Sequence, residues 1–216
     1  MTFRGWPAEA LEFYEGLEAD NSKTFWTEHK QVYDQSVLAP MTDLLAELAG
    51  EFGDGKVFRP YRDVRFSPDK TPYKTHIGAW LDDGGYIQLS SSGLAAGCGY
   101  YQMAADQLER YREAVAADST GGELERIIAE ARRRKLEVAG HGTLKTTPRG
   151  YPRDHERAEL LRHKGLITWK QWPVESWLGT VKAKTKVVTF LRDSKPLHQW
   201  LDTNVGSSTL EPSGRR

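Results

Sequence analysis

Three short segments, 75–81, 86–91 and 94–101, follow one another with connections of four and two residues, and a fourth, 57–67, precedes them. Each is rich in β-branched and aromatic residues and alternates at the period of a strand. Asp82-Asp83-Gly84-Gly85 and Ser92-Gly93 supply turn chemistry, and Pro68-Asp69 with Pro72 breaks the chain after the first segment. A parallel crossover needs a dozen residues or more, so connections this short dictate an antiparallel meander. One face of that sheet must be covered, and the flanking sequence supplies helices to do it.

Leu11, Phe13, Tyr14 and Leu17 recur at helical spacing, and Asp20-Asn21-Ser22 then provides a break and an N-cap. Phe25, Trp26, His29, Tyr33 and Val37 form one stripe, and Met41, Leu44, Leu45, Leu48 and Phe52 form another. Pro40 between them predicts two helices or one kinked helix. Further helices are predicted from Asp106 through Val115, from Gly122 through Ala131, and over 153–163. Segments 135–138 and 143–146, around Gly140-His141-Gly142, suit a short hairpin; 166–172 reads as a strand and 173–200 as at least two helices. The expectation is a single α+β domain over 1–206, a mostly antiparallel sheet packed against helices. Residues 207–216 contain one Leu and no aromatic residue, the composition of a disordered tail.

With 30 Lys+Arg against 30 Asp+Glu the chain is formally neutral, which excludes a global positive field for nucleic acid or anionic membrane. The lone Cys98 cannot form an internal disulfide and reads as a small buried hydrophobe in a reducing compartment. Residues 1–10 have no basic stretch followed by an apolar core, and no apolar run approaches a bilayer span, so a cytoplasmic, soluble protein with no membrane partner is expected. His29, His76, His141, His155, His163 and His198 never fall at metal-ligand spacing, and no metal is expected. No nucleophile elbow, Walker loop or dinucleotide fingerprint occurs, so the sequence names no cofactor and no catalytic residue, and it does not fix the oligomeric state.

Charge is segregated. Between Lys56 and Lys74 stand six cations, Lys56, Arg59, Arg62, Arg65, Lys70 and Lys74, against two anions, Asp63 and Asp69, a local excess of four. On a strand, Arg59, Tyr61, Asp63 and Arg65 share one face, and paired guanidinium forks suit a multi-oxygen anion such as phosphate. The next turn adds Lys70, Tyr73 and Lys74 on a segment stiffened by two prolines, and His76 is the nearby group that titrates near neutrality. Arg59, Arg62, Asp63, Arg65, Lys70, Tyr73, Lys74 and His76 are the candidate ligand-binding set, with Arg149 reaching in from a later loop. If the site does chemistry, His76 or Asp63 is the proton-transfer group and the arginines stabilise developing negative charge. The competing structural reading has Asp63 pairing with Arg59 or Arg65 and Asp69 capping its own turn.

Phe58-Arg59-Pro60-Tyr61-Arg62-Asp63-Val64-Arg65-Phe66-Ser67, followed by Asp69-Lys70-Thr71-Pro72-Tyr73-Lys74, resembles the signature of a bacterial and fungal family, domain of unknown function 2461. Phe13-Tyr14, Asn21, Trp26 and Tyr33 resemble its opening, Gly97-Cys98-Gly99-Tyr100 its middle, and Pro148-Arg149-Gly150-Tyr151 with Leu160-Leu161-Arg162 its later part. The sequence departs from that pattern at Pro68 and Cys98. The resemblance implies an intracellular α+β protein and brings no established activity.

Three functions stay open at this level. The leading one is binding, or turnover, of a small phosphate-bearing anion by the basic strand and turn. The others are an interaction protein docking nucleic acid or an acidic protein through the same surface, and a purely structural cluster of ion pairs. A second cluster, Lys145, Arg149, His155, Arg162 and Lys164, reads equally well as an ion-paired surface helix.

Overall fold

The computed structural model describes residues 2–140 and 142–210. The chain divides into two compact units, one running to Ala96 and including Gln171–Leu191, the other comprising Gly97–Lys170 and continuing from Arg192.

The first unit opens with α1 (Ala8–Ala19) and α2 (Lys23–Val32). Ser22 caps α2 by accepting the Phe25 N–H at 3.1 Å. The helix does not stop or break at Pro40. A π-helical stretch, Tyr33–Leu38, joins α2 directly to α3 (Ala39–Phe52), so 23–52 is one continuous helical run. The Ala39 N–H reaches back to the Asp34 carbonyl, and Pro40, which has no N–H to give, falls in the first turn of α3. Strands β1 (Gly55–Val57), β2 (His76–Leu81), β3 (Gly85–Ser90) and β4 (Gly93–Tyr100) come next. Ile77, Ala79, Leu81, Ile87 and Leu89 are buried, and α3 packs on β1 and β2 beneath them. Gly55 allows that packing: a Cβ there would stand 2.8 Å from the Leu45 side chain.

In the second unit α4 (Ala105–Ala116) and α5 (Asp118–Arg133) precede β5 (Glu137–Ala139), the single-turn α6 (Ala158–Leu161) and β6 (Leu166–Trp172). A 3-10 turn, Ser176–Gly179, belongs to the first unit, and α7 (Lys182–Asn204) begins in the first and ends in the second. The core of this unit gathers Tyr111, Val115, Leu124, Leu161, Leu166 and Trp200. Among the described residues the strands form one antiparallel sheet in the order β1-β2-β3-β4-β6-β5, and the architecture is α+β.

Three local expectations are corrected. The strand predicted over 57–67 exists only as Gly55–Val57; Pro60 cannot donate to a ladder, and pairing resumes in a single bridge between Tyr61 and Tyr73. The hairpin predicted across 135–146 does not form. β5 pairs instead with β6, Ala139 opposite Ile167, and His141 lies outside the described residues. The helix predicted over 153–163 is reduced to one turn, because Arg157 turns inward to the Glu125 carboxylate at 3.0 Å. Of the tail from residue 207, Ser208 and Thr209 bond to the Asp106 carboxylate, each at 2.8 Å; residues 211–216 lie outside the described residues.

Candidate functional site

The charged signature of 56–74 forms a long loop between β1 and β2, and its base is held tightly. The Arg62 N–H donates to the Pro72 carbonyl and the Lys74 N–H to the Pro60 carbonyl, both at 2.8 Å. The Asn21 side chain grips the returning strand of the loop twice: its amide donates to the Tyr73 carbonyl and its oxygen accepts the Tyr73 N–H, each at 3.0 Å. The Tyr73 ring is buried flat against Trp26 of α2, with centroids 4.4 Å apart. That burial raises the Tyr73 phenol pKa, helped by neighbouring Tyr61. Tyr73 is thus an anchor of the loop rather than an open ligand contact.

At the loop tip the cations are consumed internally. The Arg62 guanidinium bonds both Asp69 and the Thr71 hydroxyl. Asp69 also accepts the Thr71 N–H at 2.9 Å, and that bond, ahead of Arg62, pulls its carboxyl well below the usual range. Arg65 takes Asp63 in a two-point grip, 2.9 and 2.7 Å, which likewise lowers the Asp63 pKa. Lys70 donates to the Val64 carbonyl at 2.9 Å. For Arg62, Arg65, Asp63 and Lys70 the structural reading therefore accounts for the contacts seen.

The base of the loop is different. Among the described residues no side-chain hydrogen bond or ion pair engages Lys56 or Arg59, although the Arg59 charge adds to that of Arg65 in lowering the Asp63 pKa. Both line a cleft of ≈ 740 Å³, walled by Trp26, Tyr33 and Leu38 on the helical side and by Phe58, Tyr61 and Trp80 on the other. Lys30 and Asp34 also line it, paired to each other at 2.6 Å. Lys74 sits 5.3 Å from the Phe58 ring centre, a cation-π contact. Burial first, and then the charge of Arg59, lowers the Lys74 pKa; burial and then Lys74 lower that of His76. Arg59 thus repels Lys74, and Lys74 disfavours the charged form of His76, effects that an anion nearby would relieve.

The sequence pattern singled out Arg59, Lys74 and His76 as candidates and left out Lys56 and the aromatic wall. Trp26 and Tyr33 read as a core stripe of one helix. Phe58, Tyr61 and Trp80 carried the available signal, aromatics alternating with cations on either side of the turn. Arg149 stands exposed on a loop of the second unit, beside buried Pro148. Arg162 of the second cluster is engaged locally, by the Leu144 carbonyl at 2.6 Å and by Glu159 at 2.7 Å. Among the described residues no three His, Cys, Asp or Glu side chains come together as a metal-binding group, and no helix is long and apolar enough to cross a membrane.

The model of the family described as "Conserved hypothetical protein (DUF2461)" matches residues 9–200. The chain belongs to this family. The match takes in the whole 56–74 loop, Asn21 and Trp26 that anchor it, and the π-helical stretch beside the cleft. No curated protein and no solved structure matches the chain.

Proposed function

We propose that the cleft beside β1 binds a small anionic, phosphate-bearing ligand through Arg59 and Lys56, with Lys74 adding positive potential. One observation carries this reading: among the described residues, the two cations of the basic stretch whose side chains make no hydrogen bond, ion pair or cation-π contact are the two that line the cleft. A guanidinium fork beside an ammonium suits a multi-oxygen anion, and the volume lies in the range of about 300–1,000 Å³ common to ligand pockets. The π-helical stretch supports it, since such departures from α geometry occur frequently at functional sites. A lone, buried thiol at Cys98 fits a reducing, cytoplasmic setting. Docking of nucleic acid or an acidic protein draws on Phe66, 87% exposed at the tip beside Arg65, but Arg65 already holds Asp63 there.

Thermal unfolding with millimolar pyrophosphate or sugar phosphates tests the reading. A ligand bound only to the native state raises the midpoint, and Arg59→Ala or Lys56→Ala should remove that rise while leaving the unliganded midpoint nearly unchanged. No rise in the unmutated protein overturns it.

A further inference from the structure

The rings around the two free cations go beyond what a bare phosphate needs. We propose that the anion bound here is carried on a planar aromatic base, making the ligand class a nucleotide; this rests on the anion reading of the same cleft. On β2 the side chains of Ile77, Ala79 and Leu81 point inward and are buried, whereas Trp80 faces out and keeps 38% of its surface open. The strand register sets Lys56 directly opposite Trp80, so an ammonium and an indole stand on one face with Cβ atoms about 4.5–5.5 Å apart. Tyr86, the partner of Trp80 on β3, lies across Gly78, where a Cβ would meet its hydroxyl at 2.7 Å, and it donates to Gln88 at 2.8 Å. The floor beside Trp80 is therefore fixed.

Also lining the cleft, Tyr61 is 50% exposed, yet it is braced by Trp26 and Tyr73, with ring centres at 6.1 and 5.5 Å. Phe58 is less available, because Lys74 already occupies one of its faces. Inorganic phosphate or a sugar phosphate would engage Lys56 and Arg59 and leave Trp80 and Tyr61 in water. A nucleobase stacks on such rings whatever its identity, while its phosphate meets the cations. Ordered, open rings lose little conformational freedom on binding, which favours stacking on them over the same rings held loosely. The neutrality of the chain, with Asp34 on the cleft wall, favours a single nucleotide over a polyanion.

Calorimetric titration of the full chain with inorganic phosphate, ribose 5-phosphate, a nucleoside and its 5′-monophosphate separates the terms. The monophosphate should bind at least tenfold tighter than ribose 5-phosphate. Trp80→Ala and Tyr61→Ala should each erase most of that advantage and leave ribose 5-phosphate binding unchanged; circular dichroism confirms that the variants fold. Equal affinity for the two phosphates, both lost in Arg59→Ala, overturns the nucleotide assignment and leaves the anion site standing. Failure of every phosphate to bind overturns both. A single-stranded oligonucleotide that binds where the monophosphate does not also overturns the assignment, in favour of a polymer.

Discussion

The tip and the base of the 56–74 loop carry the same kind of residue and use it in opposite ways. At the tip Arg62, Arg65 and Lys70 are turned onto Asp69, Asp63 and a carbonyl, so their charge serves to hold an irregular loop in one shape. At the base the side chains of Arg59 and Lys56 make no such bonds among the described residues and face a cleft with aromatic walls. The difference is one of neighbours, since Asp63 and Asp69 lie within the tip, whereas the base is flanked by Phe58, Pro60 and Tyr61. Density of positive charge along the sequence thus does not tell which cations remain after local pairing.

The most damaging way to break the distinction is to remove its common support. Trp26→Ala deletes a buried indole that stacks on Tyr73 and meets Phe13 edge-on at 5.8 Å. It should cost about 3–5 kcal/mol in urea unfolding, and a loss below about 1 kcal/mol would show that the loop is anchored elsewhere. Asn21→Ala comes next. It strands the N–H and carbonyl of buried Tyr73 and should cost about 1–3 kcal/mol, with faster amide exchange at Tyr73.

Asp69→Ala sharpens the comparison more gently. The Thr71 amide should exchange faster, because its carboxylate acceptor is gone, while anion affinity at the base stays as it was. A drop in affinity matching that of Arg59→Ala would erase the line between tip and base.

The smallest effect is on pH. The folded protein holds His76 and His163 neutral, mainly by burial, so both pKa values lie below the ordinary imidazole value. The unfolded chain takes up these protons near pH 6.5, so stability falls as pH drops through about 6.5 and levels off below the folded pKa values. His76→Gln should remove part of that slope in denaturation midpoints measured across this range. An unchanged slope would mean that His76 titrates normally.

Much of the sheet was legible because its information is local. The strands at 76–81, 85–90, 93–100 and 166–172 agree with the period-two segments to within a residue, each bounded by its own turn residues. Segment 57–67 had the same alternation and failed, since Pro60 interrupts the ladder and Arg62 is drawn to Asp69 across the turn. β5 chose β6 over its sequence neighbour, and Arg157 chose Glu125, 32 residues away; neither preference is written in local spacing. The site divides in the same manner. Its cations could be counted along one segment, but its aromatic wall depends on α2 and the π-helical stretch lying beside 56–61.

That π-helical stretch amounts to one surplus residue in an otherwise regular helix. Were the same residues wound throughout as regular α-helix, α2 would turn by about 100° relative to α3. Leu44 and Leu48 would keep their place in the core, while Trp26 and Lys30 would swing out of the cleft and Asn21 away from Tyr73. The helix then works as a register key, in which one wide turn decides whether the wall of the cleft exists, with the sequence itself unaltered.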